Sequence, residues 1–149
     1  SPLSSSSAAS DVYKRQVQDI QTFVSLGGED HIVFNGPDEQ FLGGRLMGAK
    51  AGIGGTYGAM PELFLKLNEL IAEKDLETAR ELQYAINEII GKLTAAHGNM
   101  YCVIKEVLKI NEGLNIGSVR SPLTPVTEED RPVVEAAAAL IRETKERFL

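Results

Sequence analysis

The sequence predicts an α/β fold: two short parallel strands joined by a helix, followed by an all-helical carboxyl-terminal part. Three observations predict it. His31-Ile32-Val33-Phe34 is a compact apolar run bounded by turn residues, which reads as a buried parallel strand. Ala51 to Thr56 is a second run, and the segment between the two has helical spacing, so the order is strand, helix, strand. After Met60 apolar residues recur at helical intervals to the carboxyl terminus. Both strands open into glycines and polar groups at their carboxyl ends, where parallel α/β folds bind ligands.

Composition sets the outer bounds. A chain of 149 residues fits one ordinary domain with a sizeable core. Hydrophobic residues at 43% and charged residues at 24% mark a globular chain. The net charge of −6 and pI near 5.0 give no basic footprint for nucleic acid or an acidic membrane surface. Trp is absent and aromatics are 6%, which argues against a stacking surface for bases or sugars. A single cysteine, Cys102, excludes an intramolecular disulfide and suits a cytoplasmic protein. No apolar run approaches the ~20 residues of a membrane span, and no secretory signal is visible.

Residues 1–16 stand apart from the rest. Their serine-alanine run has no periodic apolar face, so a disordered tail is one reading. The other is that SPLSSSSAASDVYKRQ is not native sequence but an adapter-derived translation, to be left out of fold reasoning. Val17, Ile20, Phe23 and Val24 then begin a helical stripe without an amino-terminal cap, as expected where a longer domain is cut.

That helix should end at Gly27-Gly28. After the first strand Asn35-Gly36-Pro37 breaks the chain, and Asp38 opens the next helix, where its carboxylate can cap exposed N–H groups. Phe41, Leu42, Leu46 and Met47 are expected on that helix's inner face. Pro61 suits a first helical turn, followed by Leu63, Phe64, Leu67, Leu70 and Ile71. Asp75 starts a further helix whose stripe runs from Leu76 to Leu93 and stops near His97-Gly98. A short helix over Met100–Ile110 stops near Gly113, and Asn115 to Pro125 is a loop. Thr127-Glu128-Glu129-Asp130 is a capping signal with Pro132 behind it, leading a last helix from Val133 to Phe148. The chain thus divides into a tail at 1–16, a helix-strand-helix-strand segment at 17–58, and helices at 59–149.

Two constellations carry possible chemistry. Asp38 and Glu39 place neighbouring carboxylates at a strand end, able to accept hydrogen bonds from vicinal hydroxyls, and Gly36 lets a ligand reach the backbone. The plainer alternative makes Asp38 a helix cap and Glu39 a first-turn acid favoured by the helix dipole. Gly52-Ile53-Gly54-Gly55-Thr56 is not a dinucleotide fingerprint, because no G-x-G-x-x-G opens the following helix. It suits either a substrate lying against main chain or tight strand packing. His31 has no partner at ligand spacing, and His97 reads as a charge at a helix end. No metal-ligand cluster is present, so no metal is expected. Cys102 reads as a packing residue, while Tyr57 and Tyr101 could donate to a ligand or to main chain.

The run Phe34-Asn35-Gly36-Pro37-Asp38-Glu39, then Gly52-Ile53-Gly54-Gly55-Thr56-Tyr57, then the helices beyond, resembles the N-acetylneuraminate lyase branch of the dihydrodipicolinate synthase/N-acetylneuraminate lyase superfamily. The similarity covers roughly residues 17–149. It implies the carboxyl-terminal part of a (β/α)₈ TIM barrel, strands seven and eight, with a helical extension. It implies a class I aldolase that cleaves N-acetylneuraminate to N-acetylmannosamine and pyruvate through a lysine imine, with no metal or nucleotide cofactor. Gly36, Asp38 and Glu39 then match positions that bind the polyol tail of sialic acid, and Ile53 matches a residue beside the pyruvate pocket. Gly55 falls where a substrate-contacting serine is usual, and Thr56 or water could supply the hydrogen bond a glycine cannot; Pro37 falls where tyrosine is frequent, and Gly58 where asparagine stands. The Schiff-base lysine and the catalytic tyrosine belong to earlier strands, so this chain is expected to be inactive alone, and Lys14 is not assigned the role. A homotetrameric parent is also implied by resemblance. Dihydrodipicolinate synthase or another pyruvate-dependent aldolase is the alternative within the superfamily. A small-molecule-binding module or a helical interaction domain is the alternative outside it.

Overall fold

A computed structural model describes residues 17–28 and 31–149. The tail expected at residues 1–16, including Lys14, lies outside the described residues. The first helix, α1 (Val17–Gly27), forms as the stripe predicts and is closed by Gly28 at a positive φ of 63°. Its stripe does not become core, however: no α1 residue is buried, and Phe23 and Leu26 are exposed. The cause is a single neighbour. Val17 and Val24 lie against Gly43 and Gly48, where a Cβ would come within 3.2 Å of either valine, and the opposite side of the helix faces outward.

β1 (Phe34–Asn35) and β2 (Ala51–Gly52) pair in parallel, with Phe34 opposite Ala51 and Asn35 opposite Gly52. The ladder is shorter than the apolar runs suggest. It begins where Lys50 N–H donates to Val33 O (2.9 Å) and ends where Ile53 N–H donates to Asn35 O (2.9 Å). Gly48, at φ 103°, brings the connecting helix round into β2 only at that point, and Gly36-Pro37 turns β1 away after Asn35. Between the strands a single 3₁₀ turn (Asp38–Gln40) leads into α2 (Phe41–Leu46). Phe41 is buried, but Leu46 and Met47 are not, contrary to the expected inner face. At roughly 100° per residue they fall opposite Phe41, and six residues give no further turn to compensate.

The carboxyl-terminal part is four helices around one core. A second 3₁₀ turn (Tyr57–Ala59) leads to α3 (Pro61–Glu73), which has Pro61 in its first turn and ends at Lys74 with φ 65°. α4 (Leu76–Leu93) is capped by Asp75, whose Oδ1 accepts from Thr78 N–H at 3.2 Å. α5 (Met100–Glu112) starts at Asn99, whose side chain accepts from Tyr101 N–H, and stops at Gly113 in the left-handed region. α6 (Arg131–Phe148) follows a 3₁₀ turn (Glu128–Asp130) in which Thr127 and Asp130 form the capping box anticipated from the sequence. Leu63, Leu67, Leu82, Ile86, Ile89, Leu93, Val103, Val107 and Ile141 are completely buried. Each such side chain contributes about 1.5–3 kcal/mol on transfer from water. Ala137 and Ala138, also buried, let α6 pack closely on α4 and α5. α4 further touches α2 and the Asp38–Gln40 turn, so the helical part reaches up to the strand ends.

Candidate functional site

The candidate site is built where β1 and β2 finish. Asn35, fully buried, folds its side chain over the turn and donates from Nδ2 to Pro37 O at 2.8 Å. This holds Gly36, which is half-buried, at the end of β1. Asp38 comes next and is buried. Its carboxylate does not cap the helix it precedes, one of the two roles the sequence allows: Pro37 stands at the cap of the 3₁₀ turn and Gln40 at that of α2, and no side chain bonds at either. Asp38 Oδ2 instead accepts from Thr56 N–H at 2.9 Å and from Thr56 Oγ1 at 2.5 Å. The reason is the short turn after Pro37, which aims the carboxylate across to the second strand end rather than back along its own helix.

Burial pushes the Asp38 carboxyl above the usual carboxylate range, and the two Thr56 bonds oppose that rise without cancelling it. The neighbouring Glu39 charge adds to the rise. Gly54 completes the arrangement: a Cβ there would overlap Asp38 Oδ1, so only glycine lets the second strand end pass so close to the carboxylate. Glu39 is exposed on the same turn. The two acids are therefore unlike, one locked between strand ends and one open to solvent.

Ile53 is 62% exposed at the open carboxyl end of β2. Gly55 is exposed beside α5, and a Cβ at this position would stand 2.9 Å from Tyr101 Oη. Thr56 is buried with its hydroxyl donated to Asp38. Tyr57 points inward, edge-on to Phe41 (ring centroids 6.2 Å apart) and tilted against Phe64 (3.9 Å). The structure thus brings Gly36, Asp38, Glu39, Ile53 and Gly55 to one end of the strand pair.

Thr56, which the sequence offers as a substitute hydroxyl beside Gly55, gives its hydroxyl and its N–H to Asp38 instead. Two residues of this end escape sequence reasoning. Gln83 and Asn87, on α4, bond to the main chain of the Asp38-Glu39 turn. The available signal was Gln83 itself, a polar residue between Leu82 and Ile86 in an otherwise apolar stripe.

The remaining candidates lie elsewhere. His31 Nδ1 contacts Gly27 O at 2.8 Å. His97 does not act on a helix end; its backbone N–H and Nδ1 both meet Asp130 Oδ1, at 2.8 and 3.2 Å. Cys102 is buried, and its sulfur accepts from Val126 N–H at 3.3 Å. Among the described residues no group of three or more His, Cys, Asp or Glu side chains could hold a metal. No helix among them is long and apolar enough to cross a membrane.

The parallel strand pair and the helices behind it define part of a TIM barrel with a helical extension. The sequence profile of the dihydrodipicolinate synthetase family matches residues 9–141, and the chain belongs to that family. It is 57% identical over 133 residues to an N-acetylneuraminate lyase of Mediterraneibacter gnavus, a match covering 89% of this chain and 42% of the relative. It is 33% identical over 116 residues to N-acetylneuraminate lyase 2 of Escherichia coli, covering 78% of this chain and 37% of that one. The solved structure of wild-type Ruminococcus gnavus sialic acid aldolase superposes with a TM-score of 0.90 at 56% identity, covering 91% of this chain and 45% of the aldolase. The chain therefore spans less than half the length of the relatives it matches.

Proposed function

We infer that these residues are the carboxyl-terminal part of an N-acetylneuraminate lyase, an aldolase that releases pyruvate from a sialic acid. The observation that carries this reading is the 57% identity to the Mediterraneibacter gnavus lyase, over a stretch long enough to include both strand ends. The site geometry supports it. Glu39 offers an open carboxylate to vicinal hydroxyls, and Asp38 Oδ1 faces the Gly54 main chain beside it. Gly36 and Gly55 leave backbone accessible at the same end, and Ile53 is an apolar wall for the pyruvate moiety. Thr56 does not replace a serine hydroxyl at position 55, because its own is held by Asp38.

In this reading residues 17–58 supply the last barrel units, and residues 59–149 the final barrel helix and the extension. The chain alone does not catalyse. Imine chemistry needs a lysine inside the barrel, and Lys50, the lysine next to β2, precedes the strand at the end away from the site. The whole protein works in the cytoplasm as an oligomer.

The test is pyruvate release from N-acetylneuraminate by the whole protein and by residues 1–149 alone. Activity in the first and none in the second is expected. Release by residues 1–149, or a borohydride-trapped pyruvate adduct on them, overturns the division of labour. A whole protein that condenses pyruvate with aspartate semialdehyde but leaves N-acetylneuraminate intact is a synthase instead.

A further inference from the structure

The acids at the strand ends are held from behind by an amide pair on α4. Gln83, 5% exposed, takes Leu42 N–H on Oε1 at 2.9 Å. Its Nε2 donates to Asp38 O at 3.2 Å and to Asn87 Oδ1 at 2.8 Å. Asn87, one turn along α4, donates from Nδ2 to Glu39 O at 3.2 Å. Every bond in this chain has a fixed direction. Leu42 N–H can only donate and the two carbonyls can only accept, so both amides have one allowed orientation. The contacts join residues 41 to 48 positions apart. Leu42 N–H is also one of the α2 amides with no partner inside the helix, and Gln83 satisfies it.

We propose that Gln83 and Asn87 are positioning residues for the substrate site: they fix the main chain of Asp38 and Glu39 so that the Glu39 carboxylate keeps its place over the strand ends. The inference rests on Glu39 being a ligand group, as the proposed function has it. Asp38 is already fixed through its side chain by Thr56. Glu39 has no such tie, and its backbone carbonyl bond to Asn87 is the contact that sets where its side chain starts. Neither amide touches the pyruvate end, where Ile53 stands. Their effect therefore falls on recognition of the sugar tail and not on the chemistry of the imine. A site held within a fraction of an ångström by a second layer of hydrogen bonds loses affinity when that layer is removed.

The test uses the whole protein carrying Asn87→Leu or Gln83→Met, each close in size to the residue it replaces. Expected is a five-fold or greater rise in KM for N-acetylneuraminate with kcat within two-fold. Borohydride trapping of pyruvate should stay at the wild-type level, since pyruvate carries no tail. Intact pyruvate trapping also establishes that the variant is folded. Asn87→Asp, which keeps the acceptor for Gln83 but cannot donate to Glu39 O, is expected to behave like Asn87→Leu. An active wild type with unchanged KM in all three variants overturns the inference alone. A parallel loss of pyruvate trapping and activity also overturns it, because it makes the pair merely structural. A wild type without lyase activity overturns the proposed function and this inference with it.

Discussion

Asp38 and Thr56 tie the two strand ends to each other, with one carboxylate oxygen accepting both the amide and the hydroxyl of the threonine. They lie eighteen positions apart in the chain, and the β1–β2 ladder itself is only two residues long. So short a ladder fixes little beyond its own register. The side-chain bridge carries that register out to the residues proposed to meet substrate. Thr56→Val keeps the shape and removes the hydroxyl donor. Leaving a buried acceptor short of a partner costs about 1–3 kcal/mol, and chemical denaturation of the variant should show a loss of that size. An unchanged midpoint would mean the bridge contributes nothing.

Gly54 tests the same bridge from the other side. Its missing Cβ is what lets the second strand end pass beside Asp38. Gly54→Ala must push the carboxylate off Thr56 or shift the backbone, and overpacking of this kind costs about 1–3 kcal/mol. Gly58 is the control, because a Cβ there meets nothing within 4 Å. Gly58→Ala should stay within about 0.5 kcal/mol of the parent. Equal thermal shifts in the two variants would remove the steric argument.

Much of this architecture is legible in the sequence, because the signals are local. Pro61, Asp75, Gly113 and the Thr127–Asp130 box mark helix ends by their own backbone chemistry, and the structure places ends there. The glycine-rich second strand and the Asn35–Glu39 turn likewise mark where the two strands end, and the ladder stops there. What local pattern cannot reveal is choice of partner. Asp38 satisfies every rule for a helix cap, yet its carboxylate goes to a threonine that only the fold brings near. Gln83 resembles a surface residue until α4 is packed beneath the strand ends. The α1 stripe has helical period, but periodicity does not say whether a neighbour exists to cover it.

The charge of Asp38 should cost stability and serve function. Its folded carboxyl lies above the ordinary value of 3.8, with burial as the first cause. A raised carboxyl means the folded state resists ionisation. The penalty is absent well below 3.8 and sets in as pH rises through the unfolded value toward the folded one. Asp38→Asn keeps an oxygen acceptor for Thr56 and removes the charge. Its thermal midpoint at neutral pH should equal or exceed that of the parent, while the whole protein carrying it loses at least ten-fold in kcat/KM for N-acetylneuraminate. A marked fall in melting temperature at neutral pH would contradict the burial argument.

Asp130 has the opposite sign. Its carboxylate gathers the backbone N–H groups of Thr127, His97 and Gly98, and with them the amino end of α6 and the loop before α5. The Thr127 N–H is the first cause and the His97 N–H the second, and the carboxyl falls from 3.8 to about 2. A depressed carboxyl stabilises the fold at every pH above its unfolded value. That contribution is lost as pH falls from 3.8 toward about 2. Asp130→Asn removes the charge and points an amide hydrogen or a poorer acceptor at three donors. The variant should therefore melt below the parent at pH 7, and the gap should narrow as both are titrated down through that window. Differential scanning calorimetry at intervals of half a pH unit follows it directly. A gap that stays constant down to about pH 2 would show that the clamp works through packing rather than through the carboxylate charge.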